Sequence, residues 1–232
     1  MRLTRLFLVA LSALLLAGCG ESPSSDFPSR ILVVGDSMLA TNRLNDQAVA
    51  DEMETTLGEQ VVDRSTIGAR FFYPLPITGR LGMNISKQYV AGDWDWVIVN
   101  GGGNDLWLGC GCVLCNHKLD RLISKDGRNG RIPAFLSRLR QSGARVVYVG
   151  YLRSPGMGSP IEYCKDEGDE LEARVARLAE RDPGLFYLSL QDLVPEGDAS
   201  YFRIDMIHPS AKASAEIGKR VAALIRSGHY PP

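Results

Sequence analysis

The chain has 232 residues, 45% of them hydrophobic, with 26 Lys and Arg against 27 Asp and Glu for a formal net charge of −1. This balance, with no basic stripe carrying interleaved aromatics, argues against nucleic acid as a partner. From Ile31 to Gly228 there is no composition break, repeat or low-complexity tract, and roughly 200 residues is enough for one domain with a substantial core.

Arg2 and Arg5 precede the apolar run LFLVALSALLLAG, which ends at Cys19. A basic start, a short apolar core and a small-residue exit predict a secretory signal over residues 1–18. The run is short of the ~20 apolar residues of a membrane span. Leu16-Ala17-Gly18-Cys19 resembles a bacterial lipobox, which implies that Cys19 becomes the lipidated first residue and anchors the chain to a membrane. A plain signal peptide is the alternative. Residues 19–30 are small, polar and proline-punctuated, the composition of a tether.

Ile31–Val34 is a continuous apolar run bounded by Gly35 and predicts a first buried strand. Gln47–Leu57 predicts a helix with Val49, Met53 and Leu57 on one face and Gly58 as terminator. Val61-Val62 starts a second strand that gives out at Ser65–Gly68, and a weaker helical stretch follows around Leu81–Val90. Trp96–Val99 predicts the third strand, Ile132–Gln141 a helix and Ala144–Gly150 the fourth strand. Glu167–Glu180 reads as a charged amphipathic helix, Leu185–Leu190 as the fifth strand, and Pro209–Arg226 as the closing helix before a tail at 229–232. Short apolar strands alternating with helices imply parallel crossovers and a three-layer α/β/α domain over residues 31–228. Ligands bind such sheets beyond the carboxyl ends of the strands.

Those ends carry the chemistry. Gly35-Asp36-Ser37 follows the first strand, Gly68 the second and Asn104-Asp105 the third, while Asp205 and His208 stand in DMIHPS before the last helix. A serine hydroxyl attacks well only when an imidazole takes its proton, and a carboxylate must hold that imidazole in one tautomer. The three-residue step from Asp205 to His208 lets both side chains lie on one side of a turn. The Ser37 and Gly68 N–H groups and the Asn104 amide are suitable donors for a developing oxyanion.

These four blocks, in this order and across nearly the whole domain, resemble the SGNH hydrolase superfamily (GDSL-type esterases and lipases). The resemblance implies a flavodoxin-like five-stranded sheet of order 2-1-3-4-5. It also implies Ser37 as nucleophile, His208 as general base, Asp205 as its orienting partner, and an oxyanion hole from Ser37, Gly68 and Asn104, with no cofactor or metal. Met38 replaces the leucine usual after the serine, a volume-conserving change. The implied activity is hydrolysis of O-acyl esters through an acyl-enzyme, on small-molecule or glycan substrates: acetylated envelope glycans, short-chain esters, lysophospholipids or thioesters. The sequence carries no hydrophobic lid insertion, which favours small acyl groups. An O-acyltransferase using the same acyl-enzyme and a non-catalytic envelope-binding module are the rival readings. A monomer on the periplasmic face of a bacterial membrane is the expected form.

With Cys19 set aside, Cys110, Cys112, Cys115 and Cys164 remain. An even count in an oxidising compartment predicts two disulfides, with three connectivities open. The C-x-C-x2-C spacing of the first three is not a usual structural-zinc pattern. In the implied fold a bridge from Cys164 to the cluster would clamp two rim loops beside the serine. Arg70 and Arg153 lie near strand ends and Phe71 and Trp107 flank the oxyanion blocks, so these four are the candidate substrate contacts, with surface solvation the alternative for the arginines and core packing for the aromatics.

Overall fold

Ile31–Val34 has no polar side chain on either face, and all four residues are buried, as in a strand at the middle of a sheet covered on both sides. In the computed structural model, which describes residues 29–154 and 158–228, this segment is β1. The other strands are β2 (Val62–Asp63), β3 (Trp96–Val99), β4 (Arg145–Val149) and β5 (Leu185–Leu188). All pairings are parallel and the order is β2-β1-β3-β4-β5, as the resemblance implied. The residues predicted as signal segment and lipidation site, most of those predicted as tether, and the tail at 229–232 lie outside the described residues. Among the described residues no helix is long and apolar enough to cross a membrane.

Alternate strand residues feed two cores. Ile31, Val33, Ile98 and Val147 face α2 (Val49–Leu57) and α7 (Ala211–Ser227). Leu32, Val34, Val99 and Val146 face α5 (Arg131–Gln141) and α6 (Lys165–Ala179). Each fully buried Leu, Ile or Val contributes roughly 1.5–3 kcal/mol relative to exposure. Gly218 lets α2 and α7 meet closely, because a Cβ there would lie 2.7 Å from Glu52 Cβ and 2.8 Å from the Val49 carbonyl.

The structure departs from the predicted elements in three places. The second strand is only Val62–Asp63, although the Arg64 and Thr66 N–H groups still reach the Val33 and Gly35 carbonyls beyond it. The helix predicted around Leu81–Val90 is instead a wide turn at Gly79–Met83 followed by a tight 3-10 turn at Ile85–Lys87. Gly82 adopts φ 113°, which α-helix cannot accommodate, and Arg70 and Asn84 pair across the fold-back. The cysteine cluster, expected on a rim loop, lies instead in and between two helices, α3 (Gly103–Cys110) and α4 (Asn116–Leu122). A four-residue helix, α1 (Ser37–Ala40), follows β1 directly.

Candidate active site

The strand order reverses between β1 and β3, and the loops leaving those two strands open a crevice there. Ser37 sits on the β1 side as the first residue of α1. The cap of that helix is Asp36, whose Oδ1 accepts the Met38 N–H at 2.9 Å. Ser37 is therefore free of capping, and among the described residues its hydroxyl makes no hydrogen bond. Gly35 permits the approach of β1 to β3, since a Cβ would stand 2.9 Å from the Asn100 carbonyl. Buried Gln88 pins both sides of Gly35, accepting its N–H at 2.6 Å and donating to its carbonyl at 2.9 Å.

Asp205 and His208 share one turn between β5 and α7. Asp205 Oδ2 lies 2.8 Å from His208 Nδ1, while Oδ1 accepts the Ile207 and His208 N–H groups, each at 2.9 Å. Burial works to raise this carboxyl, but the two backbone N–H groups and the His208 ring outweigh it and hold Asp205 below the ordinary carboxylate range. An ionised Asp205 at Nδ1 leaves Nε2 as the nitrogen available to take a proton.

On the β3 side, the Asn104 amide donates to the Ala69 carbonyl at 3.2 Å. Next to it, the two Asp105 oxygens accept the Phe71 and Phe72 N–H groups at 2.8 Å each, so the second and third sequence blocks are stitched together. Burial raises the Asp105 carboxyl against the pull of those two bonds. Gly68, with φ 77°, makes the turn into Ala69.

Ser37, Asn104 and His208 line one cavity of about 380 Å³, with Trp107 and Arg153 also on its wall. Gly68 is not among the lining residues. Of the four candidate substrate contacts, two are displaced. Phe71 is buried to 1% exposure and packs edge-on against Phe135 at 6.0 Å, so it belongs to the core. Arg70 lies off the cavity, with its guanidinium 5.3 Å from the Tyr73 ring. Arg153 lines the wall, but Asp169 at 2.6 Å and Glu172 at 2.7 Å neutralise its charge. The disulfides are Cys110–Cys115 and Cys112–Cys164. The second joins the loop after α3 to the segment before α6, and Cys164 lines the cavity. With all four sulfurs paired, none is a thiolate ligand for zinc.

Sequence reasoning missed Tyr151. Its hydroxyl donates to Asp36 Oδ2 at 2.7 Å and accepts the Gly103 N–H at 2.9 Å, joining the Ser37 turn to the start of α3. Only the position just past the fourth strand marked it. Burial pushes the Asp36 carboxyl up to about 6, against hydrogen bonds from Met38 and Tyr151 that lower it. The ordinary value, 3.8, applies once the chain unfolds. The folded state thus binds more protons between these values, and stability falls as pH rises through that window, levelling off above it. Unfolding by urea at about pH 4 and pH 7 should show the parent losing about 2 kcal/mol more than Asp36→Asn. Equal losses would place the slope on Asp105 or another group.

A doubly wound parallel sheet with this serine, histidine and carboxylate at its carboxyl edge defines an α/β serine hydrolase. Residues 33–215 match the GDSL-like Lipase/Acylhydrolase family, and the chain belongs to that family. None of the curated proteins matches it in sequence. Among solved structures, one from Streptococcus pneumonia named for platelet activating factor superposes with a TM-score of 0.61 at 15% identity, covering 88% of this chain and 86% of that one. A Corynascus thermopiles carbohydrate esterase family 2 enzyme with a carbohydrate binding domain gives 0.57 at 17% identity, over 89% of this chain and 68% of that one. Est24, a carbohydrate acetylesterase from Sinorhizobium meliloti, gives 0.54 at 17% identity, over 85% and 98%. At such identities the likeness is one of fold.

Proposed function

We propose that the protein cleaves small O-acyl esters, acetylated envelope glycans among them, through an acyl-enzyme on Ser37. The observation that carries this reading is the meeting of Ser37, Asn104 and His208 on one cavity wall, with the His208 ring already tied to Asp205. Ser37 Oγ attacks the acyl carbonyl as His208 Nε2 takes its proton, and Asp205 stabilises the imidazolium. The Asn104 amide and the Ser37 N–H serve the developing oxyanion, whereas the Gly68 N–H, off the cavity lining, is left without that role. His208 then returns the proton to the leaving alcohol. Water, activated by the same imidazole, attacks the acyl-enzyme and releases the acid.

The cavity, about 380 Å³, is near the lower end of the roughly 300–1,000 Å³ range of ligand pockets. That size supports a short acyl group with part of a sugar. The carbohydrate esterases that share the fold support the same substrate class. The test is a panel of p-nitrophenyl esters of increasing acyl length beside acetylated glycans, with Ser37→Ala as control. Acetyl should be cleaved fastest, and a preference for long chains would sink the small-acyl reading. We further propose an exported, lipid-anchored protein on the periplasmic face. After a wash at about 1 M salt, which screens surface attraction, Cys19→Ser should be in the soluble fraction and the parent in the membrane fraction, and no difference between them would refute the anchor.

A further inference from the structure

The segments around Phe72 and α4 carry cations without ion-pair partners and exposed aliphatic side chains. Three cations surround the Phe72 ring: Lys118 Nζ at 5.3 Å, the Arg121 guanidinium at 4.6 Å and the Arg131 guanidinium at 5.5 Å. None of the three forms an ion pair among the described residues. Nearby acids are engaged elsewhere: Asp105 is buried beneath the Phe71–Phe72 backbone and Asp120 pairs with Arg174 at 2.7 Å.

Large aliphatic side chains stand exposed in the same region. Ile77 is 75% exposed and Leu81 76%, both on the segment that runs on from Phe72. Val113 is 74% exposed and Leu114 87%, in the turn between α3 and α4 just before Lys118. The bond from Phe72 N–H to Asp105 ties these two stretches together, and the Cys112–Cys164 bridge ties the second one to the cavity wall. Single exposed aliphatics are ordinary, but two exposed pairs on the segments that flank a ring set among cations without ion pairs mark an interaction surface.

We propose that this surface docks on a bilayer containing anionic phospholipid. Leu, Ile and Val tips gain by entering the boundary between headgroups and acyl chains, while Lys and Arg meet lipid phosphates. An anionic polysaccharide would satisfy the cations but leave the aliphatic tips in water.

The test uses the full chain carrying Cys19→Ser, so that any N-terminal contribution is common to parent and variants. Co-sedimentation is measured with vesicles of phosphatidylcholine alone and of phosphatidylcholine with about one third phosphatidylglycerol. Binding should require the anionic lipid and weaken steeply as salt rises from about 0.1 M to 1 M. Lys118→Gln/Arg121→Gln should weaken it about thirtyfold, or about fivefold per charge removed. Ile77→Ser/Leu81→Ser should also lower it, with circular dichroism and melting temperature unchanged in both variants. The readout does not depend on turnover and can be repeated on Ser37→Ala, so its failure is separable from that of the ester-hydrolase reading. Parent-level vesicle binding by both variants would overturn the proposal. So would binding to dextran sulfate but not to vesicles, or a dimer dispersed by Ile77→Ser/Leu81→Ser in place of vesicle binding.

Discussion

Ser37→Ala and His208→Ala should each lower kcat on a p-nitrophenyl ester by about 10⁴–10⁶-fold, and the double variant should be no worse than the singles. In a relay of this kind a nucleophile and its base act as one unit, so removing either would leave only binding and oxyanion stabilisation. Asp205→Asn should cost about 10⁴-fold, because an amide at Nδ1 favours the wrong imidazole tautomer. The fold should tolerate Ser37→Ala well, since its hydroxyl holds no hydrogen bond that packing depends on. Steady-state rates, with unfolding curves as the control, decide the matter. Multiplicative losses in the double variant, or a serine variant retaining full turnover, would refute the relay.

Breaking Cys112–Cys164 should destabilise the protein by about 4 kcal/mol, and breaking Cys110–Cys115 by about 2 kcal/mol. The difference follows from separations of 52 and 5 residues, since the longer loop restricts the unfolded chain more. Cys112 and Cys115 are both buried in the core cluster that Leu106 and Leu119 share, so alanine at either adds a similar loss of packing and leaves the difference between the bridges to loop length. The long bridge holds the cavity wall at Cys164 against the end of α3, the helix that carries Asn104. Cys112→Ala/Cys164→Ala should therefore raise KM as well as lower stability, whereas Cys110→Ala/Cys115→Ala should leave KM near the parent value. Urea unfolding and ester kinetics on the two double variants test this, and equal costs from both would reject it.

What the residues alone disclosed was periodic or local. Ile31–Val34 and Trp96–Val99 are apolar on both faces, which only a sheet covered by helices on both sides can bury. Asp205 and His208 are close enough in sequence for one turn to join them, so their pairing was legible before any coordinates. The order of the blocks, through the family they resemble, implied which strands are neighbours.

Tertiary structure alone decided the rest, because those outcomes depend on contacts between distant segments. Phe71 and Trp107 are both aromatic and both near strand ends, yet one fills the core against Phe135 and the other lines the cavity. Arg153 could not be seen to be neutralised until α6 brought Asp169 and Glu172 beside it. Tyr151 joins Asp36 to Gly103 across spans of 115 and 48 residues, and no local pattern records such a bridge. The same holds for the choice of Cys112 over its two neighbours as the partner of Cys164. Hydrophobic period and turn chemistry are written in adjacent residues, but which polar groups meet is settled only when packing brings their loops within hydrogen-bond range.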